Sequence, residues 1–217
     1  MRLARRSTVE REAGMEQCEL CGAPIPAEHR HVLEVPTRDI KCACRPCSLL
    51  FDRTERLKLI PTDVYALDDS VLDDLAWAQL RLPVDIAFFF RTGAGVKAYY
   101  PSPMGPTESL LTVEIPLLET LAEDVEALLV DRVRGAHRTW IVPVDVCYAL
   151  VGLIRTHWRG LTGGAQVWRE LERFYEGLDR RARKGDAHAQ AGRPDARAGN
   201  QAGQLEGQLR APGGPQP

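Results

Sequence analysis

Five of the six cysteines in this sequence lie close together, between residues 18 and 47. They occur as Cys18-Glu-Leu-Cys21 and, after a spacer, as Cys42-Ala-Cys44-Arg-Pro-Cys47. Two Cys-x-x-Cys pairs separated by twenty-two residues are typical of a structural zinc site, in which four thiolates surround one ion tetrahedrally. We therefore predict that Cys18, Cys21, Cys44 and Cys47 are metal ligands and that the ion is Zn²⁺.

The cysteine pattern leaves two alternatives open. Cys42 and Cys44 alternate along a predicted strand and share one face, so Cys42 is close enough to be a substitute ligand. The other interpretation of Cys42 is a small buried apolar side chain. Iron in a rubredoxin-like site would use the same four thiolates as zinc, so the spacing does not separate Zn²⁺ from Fe.

The segments around the cysteines are those that a zinc module needs. Gly22 follows the first pair and permits the tight turn that points two thiolates at one ion. Residues 31–36 and 38–43 predict two short strands around a turn, and residues 48–57 have the apolar spacing of a short helix after the second pair. A knuckle, a hairpin and a helix in this order predict a treble-clef-like module over residues 15–60.

Residues 61–182 predict a larger domain that contains both strands and helices. An almost continuous run of β-forming apolar residues at 84–90 predicts a central strand covered on both faces. The predicted elements are a helix within 67–80 with Ser70 as its N-cap, strands at 84–90 and 96–100, a rigid proline-containing loop at 101–109, a helical turn near 117–121, strands at 125–130 and 139–142, and helices that begin near Asp145 and cover 165–178. The predicted fold class is α+β, with a zinc module followed by a mainly antiparallel sheet packed with C-terminal helices.

Composition limits the classes of protein to which the chain can belong. The chain has 217 residues and a net charge of −2, and residues 61–182 hold more acidic than basic side chains, so a nucleic acid is an unfavourable partner. No apolar run reaches the length of a membrane span, and the charged residues 1–14 predict a flexible lead-in with no signal peptide. Residues 183–217 contain almost no large apolar side chains and predict a disordered tail. Reduced cysteines indicate the cytoplasm.

Histidines inside the predicted module raise the possibility of a nuclease. His29, His31 and Glu34 lie where HNH-like treble-clef nucleases place a histidine beside a metal-bound phosphate. Such enzymes need further ligands for a hydrolytic metal, but Ser48, Leu49 and Leu50 follow the second cysteine pair here. The alternative is that both histidines are ordinary hairpin residues.

Two loops rich in glycine, proline and aromatic residues could line a shared cleft. They are residues 99–109 and 157–164, and the alternative is that they only form tight corners. The polar groups of such a cleft would be Ser102, Thr107, Glu108, Ser109, Arg155, His157 and Arg159. No nucleophile stands beside a recognisable base and no nucleotide-binding fingerprint occurs, so we predict a protein that is not an enzyme. Cys147 falls on the apolar stripe of a predicted helix and is interpreted as a packing residue.

Six longer segments have a distinctive sequence. They are 18–26, 42–47, 84–90, 100–103, 124–130 and 152–161, which read CELCGAPIP, CACRPC, VDIAFFF, YPSP, DVEALLV and GLIRTHWRGL. Together they resemble an uncharacterised bacterial family whose genes lie near those of [NiFe]-hydrogenases, and the resemblance covers roughly residues 15–180. It implies no catalytic residues, and it implies a role in the assembly or docking of a hydrogenase, with hydrogenase subunits as partners.

These observations combine into one functional prediction with two alternatives. We predict a non-enzymatic, metal-binding accessory or protein-interaction protein. The first alternative is a rubredoxin-like iron or redox site that serves the hydrogenase, and the second is an HNH-like nuclease.

Overall fold

The computed structural model describes residues 16–51, 56–68, 71–111 and 114–184. These residues form a three-stranded sheet, a seven-stranded sheet and α-helices that pack around them. The strands are β1 Arg30–Glu34, β2 Asp39–Ala43, β3 Leu57–Leu59, β4 Tyr65–Leu67, β5 Ile86–Thr92, β6 Gly95–Ser102, β7 Gly105–Ser109, β8 Glu126–Asp131, β9 Arg138–Pro143 and β10 Arg183–Lys184. The α-helices are α1 Arg45–Leu50, α2 Asp74–Gln79, α3 Val144–His157 and α4 Gly164–Arg181, and two short 3-10 helices cover Pro116–Thr120 and Val133–Gly135. The predicted α+β class with antiparallel sheets is confirmed, whereas the treble-clef assignment stays a prediction.

The small sheet has the order β2-β1-β3 and contains the predicted hairpin. Strands β1 and β2 are antiparallel, with His31 opposite Cys42. The helix predicted over 48–57 is wrong in its extent, because α1 ends at Leu50 and Leu57 belongs to β3. The reason is that β3 completes the other edge of β1, where Leu57 lies opposite Glu34.

The large sheet has the order β10-β4-β9-β8-β5-β6-β7, and its neighbours are antiparallel except for the pair β10 and β4. Successive side chains of β5 point to opposite faces. Phe88 and Phe90 pack toward α3 and α4 together with Trp140, whereas Phe89 packs on the other face toward α2 and the 3-10 helix Pro116–Thr120. Both faces are covered, which explains why the predicted central strand is apolar almost throughout.

The predicted loop at 101–109 is wrong, because these residues extend the sheet. Strand β6 continues to Ser102, turns, and pairs with β7 so that Pro101 lies opposite Pro106. Strand β7 is at the edge of the sheet and Pro101 lies beyond the residues of β6 that pair with β5. Proline has no N–H to donate, and these are positions where the sheet tolerates that loss.

The helix predicted within 67–80 is shorter than expected. Leu67 ends β4, where it pairs with Thr139, and α2 begins only at Asp74. The N-cap is Asp73, whose carboxylate accepts a hydrogen bond from the Ala76 N–H at 2.8 Å. Ser70, the predicted N-cap, lies outside the described residues. The two C-terminal helices, the strand pair of β8 and β9, and the hairpin of β5 and β6 are confirmed.

A cluster of apolar side chains and a buried carboxylate connect the small sheet to the large one. Leu33 and Ile60 pack against Val125 and Val144. Asp124 is 3% exposed and bridges the two parts, because its carboxylate accepts from Arg38 at 2.5 Å and from Lys58 at 2.7 Å. The small sheet is therefore docked by both packing and charge.

The ends of the chain are described only in part. Residues 1–14, the predicted lead-in, lie outside the described residues, as does most of the predicted tail from residue 185 onward. Arg183 and Lys184, predicted to open that tail, instead form β10 beside β4. Within the part of the chain that the structure describes, no helix combines the length and the apolar character needed to cross a membrane.

Candidate metal centre

The structure brings together the four cysteines that the spacing singles out. The Sγ atoms of Cys18, Cys21, Cys44 and Cys47 all lie within 4.8 Å of one another, and the Cys21 and Cys44 sulfurs are 3.7 Å apart. Zinc–sulfur bonds of about 2.3 Å in a tetrahedron place sulfurs about 3.8 Å apart. All six cysteines are free of disulfide bonds. The spacing of the sulfurs therefore fits a tetrahedral metal site.

The first pair is positioned by a tight turn. The Gly22 N–H donates to the Cys18 carbonyl at 2.7 Å, and the Cys18 N–H donates to the Ala23 carbonyl at 2.8 Å. Gly22 has a φ of +74°, a conformation that glycine adopts without strain. The Glu19 N–H reaches the Cys42 carbonyl at 2.9 Å and fastens this turn to β2.

The second pair lies where a strand gives way to a helix. Cys44 directly precedes α1, and Cys47 lies in the first turn of that helix, where it is buried. The Ser48 N–H donates to the Cys44 carbonyl at 2.9 Å, which closes the turn that brings the two sulfurs together. Pro46, in the first turn of the helix, has a φ that already suits a helix start.

The pKa values of Cys18 and Cys47 are shifted in opposite directions, because a thiolate disfavours ionisation of a thiol beside it. Burial would raise the pKa of Cys18, but hydrogen bonds from the backbone of Cys44, Leu20 and Cys21 outweigh it and lower the pKa to about 6. Burial and the neighbouring thiols raise the pKa of Cys47 to about 12. A bound cation would remove this conflict, since a coordinated thiol is deprotonated outright.

Cys42 lies outside this group. The structure places it with His29 and His31, and a ligand atom of each lies within 4.8 Å of those of the other two. Burial, followed by the carboxylates of Glu19 and Glu16, raises the pKa of Cys42. As predicted, Cys147 lies on the buried face of α3, is fully buried in the core and is a packing residue.

The three residues considered for a nuclease separate into two places. Glu34 lies at the far end of β1, where its carboxylate accepts from Arg56 at 2.5 Å and pairs with Lys41 at 3.3 Å. His31 instead bonds through Nδ1 to Asp145 Oδ2 at 2.7 Å. The sequence indicates Asp145 only as a residue near a helix start. It gives no sign of this pair, because 114 positions separate the two residues.

A signal for the histidine cluster does exist in the sequence. His29 and His31 are two positions apart at the start of a strand, so their side chains share a face. Their rings meet edge to face with centroids 4.9 Å apart. The pairing of His31 with Cys42 then follows from the register of the hairpin.

The two segments of the predicted cleft do meet, at an apolar cavity of about 320 Å³. Pro101 and Pro103 line it from one side, and Trp158 and Trp168 line it from the other. Ser102 is the one predicted polar group at this cavity. Glu108 faces Lys97 and Tyr99 instead, and the others, Thr107, Ser109, Arg155, His157 and Arg159, do not line it.

Comparison with known proteins gives a family and no closer relative. No curated protein and no solved structure matches the chain. One family model matches residues 17–182, a span that contains the four-cysteine cluster and both sheets up to the end of α4. The chain therefore belongs to the family of unknown function DUF5947.

Proposed function

We propose that this protein is a non-enzymatic accessory protein whose four-cysteine centre holds Zn²⁺ as a structural ion. The observation that carries the proposal is the mutual approach of the four sulfurs within 4.8 Å. Four thiolate ligands leave no coordination position for water or substrate, so the ion contributes folding free energy and no catalysis. The free state of all six cysteines supports a reducing compartment, and we place the protein in the cytoplasm.

The accessory role requires a protein partner, and the apolar surface beside the cavity supports one. Leu161 is 100% exposed and Met104 is 91% exposed, and each is close in sequence to residues that line the cavity of about 320 Å³. Exposed apolar patches beside a groove mark interaction sites in proteins. We propose that the partner is a subunit of a [NiFe]-hydrogenase, on the strength of the resemblance described above.

Metal identity separates the structural-zinc proposal from the iron alternative. We expect protein purified without added metal to contain stoichiometric zinc and to be colourless, because Zn²⁺ has a filled d shell. Stoichiometric iron with visible thiolate absorption would overturn the zinc assignment. Cys147→Ala is the matched control, because it removes a thiol that lies outside the cluster and should leave the metal content unchanged.

Co-purification from the native host tests the partner. We expect tagged wild-type protein to capture a hydrogenase subunit, and the double variant Leu161→Ser and Met104→Ser to lose it. Leu110→Ser is the control, because Leu110 is 85% exposed but, unlike Met104 and Leu161, is not close in sequence to a residue that lines this cavity. Capture of other proteins without a hydrogenase subunit would contradict the proposed partner.

The nuclease alternative has a direct test on the same material. We expect no metal-dependent cleavage of DNA, because Ser48, Leu49 and Leu50 supply no ligands for a hydrolytic ion after the second cysteine pair. Cleavage that His31→Ala abolishes would replace the non-enzymatic proposal with the nuclease one.

A further inference from the structure

A second group of metal-ligating side chains lies beside the four-cysteine centre. It consists of His29, His31 and Cys42, and one ligand atom of each lies within 4.8 Å of the other two. Cys42 and Cys18 belong to the same packed cluster, so the two groups are neighbours. Two imidazoles and one thiolate are ligands that divalent transition metals prefer.

The hydrogen bonds of both histidines occupy Nδ1 and leave Nε2 available to a metal. His29 Nδ1 lies 2.9 Å from the Pro26 carbonyl oxygen, which can only accept, so Nδ1 carries the proton. Nε2 of His29 therefore presents a lone pair. That atom is buried without a hydrogen-bond partner, and the His29 side chain is only 7% exposed. Leaving such an acceptor buried is costly unless something binds it.

His31 is arranged in the same way, with a carboxylate as the supporting group. Its Nδ1 lies 2.7 Å from Asp145 Oδ2, which directs the proton to Nδ1 and leaves Nε2 for a ligand bond. Metal-bound histidines nearly always donate their other N–H to a carboxylate or a carbonyl oxygen, and this cluster contains one of each. Asp145 lies in the first turn of α3, so the body of the protein orients a ligand on the small sheet.

We propose that His29, His31 and Cys42 form a second metal site, separate from the four-cysteine centre, which binds a divalent transition-metal cation such as Zn²⁺. The carboxylates of Glu16 and Glu19 add favourable charge, since Glu16 lies 3.3 Å from His29 Nδ1 and Glu19 accepts from the Cys42 N–H at 2.6 Å. This cluster, rather than the four-cysteine centre, then accounts for the fifth cysteine.

With three protein ligands this site is open, whereas a structural site with four protein ligands is closed. A tetrahedral ion held by three side chains keeps a fourth position for water or for an external ligand. His31 and Cys42 are partly exposed, and His31 also lines a cleft of about 470 Å³ between the small sheet, α3 and α4. The ion is therefore reachable from solvent and exchanges more readily than the one in the four-cysteine centre.

Metal stoichiometry of the full-length protein tests the second site. We expect wild-type protein dialysed against excess Zn²⁺ to retain two ions per chain, and His29→Asn and Cys42→Ser each to retain one. The matched control is His157→Asn, which changes a histidine at the end of α3 and should leave both ions. Substitution with Co²⁺ checks the fold of each variant, because the first equivalent must keep the strong absorption of a tetrathiolate site.

A variant of the supporting carboxylate gives a second measurement. We expect Asp145→Asn to weaken binding of the second Zn²⁺ by about 10-fold to 100-fold, as loss of such a partner does in other zinc sites, without changing the first. Wild-type protein that takes up a single ion would overturn the second site and leave the structural-zinc proposal intact. Two ions that persist in His29→Asn and Cys42→Ser would overturn it equally.

Discussion

The small N-terminal sheet and the large seven-stranded sheet are stabilised by different means. The large sheet is covered on both faces by apolar clusters that include Phe89, Trp140 and Leu128. The small one contributes few buried apolar side chains, and one of its two clusters consists of Cys18, Cys47 and Ile25 with partly buried neighbours. A segment of this size cannot bury enough apolar surface to be stable alone. In the first part of the chain, four clustered cysteines stand beside a smaller set of buried apolar side chains than the large sheet has.

The largest expected effect is on the small sheet, which has the smaller set of buried apolar side chains. We expect Cys47→Ser, or removal of metal with a chelator, to unfold the small sheet while the large one stays folded, because apparent binding free energies of structural zinc are about 10–16 kcal/mol. Amide hydrogen exchange measures this, through loss of protection at Val32 and Leu33 with protection retained at Leu128 and Leu129. Full protection of Val32 in chelator-treated protein would contradict the dependence on metal.

A second large effect is expected on the stability of the large sheet. We expect Phe89→Ala to lower the free energy of unfolding of the large sheet by about 3–5 kcal/mol, because the ring is 0% exposed and its removal leaves a cavity. Denaturant unfolding measures the change, and the metal content should not move. Leu75→Ala is the control, because Leu75 is 69% exposed and its truncation should change stability by about 0.5 kcal/mol or less.

A smaller effect is expected where the two parts meet. We expect Asp124→Ala to cost about 1–3 kcal/mol, because the change removes a buried acceptor and leaves Arg38 and Lys58 without it. The measurement is denaturant unfolding, in which the small sheet should lose cooperativity with the large one. Glu108→Ala, which breaks a half-exposed pair with Lys97, is the control and should cost about 1 kcal/mol at most. Equal costs for the two variants would argue against a structural role for Asp124.

The smallest expected effect is a dependence of protein stability on pH in the acidic range. Arg56, followed by Lys41, lowers the pKa of Glu34 from its ordinary value of 4.5. A lowered pKa in the folded state stabilises the protein above pH 4.5, and this contribution is lost as the pH falls through the folded-state value. We expect Glu34→Gln to be less stable than wild type at neutral pH, and the difference to vanish in acid. Unfolding curves across this range measure it, and a difference that grows in acid would contradict the assignment.

Sequence patterns predicted the helices and strands that depend on residues close together in the chain. The apolar run in β5, the hairpin with β6 and the stripes of α3 and α4 were predictable, because periodicity over a few residues decides which face is buried. Strand β7 was missed because proline is read as a breaker, although an edge position tolerates it. The start of α2 was missed because pairing of β4 with β9 takes Leu67 into a strand.

By itself the sequence determined the four-cysteine cluster, since two residues between cysteines limit where both sulfurs can point. Only the tertiary structure decided which residues surround Cys42 and which carboxylate supports His31. Cys42 faces His29 and His31 because of hairpin register, and His31 meets Asp145 because α3 packs against the small sheet. Short spacings restrict the backbone directly, whereas a contact across 114 residues depends on how the separate elements pack.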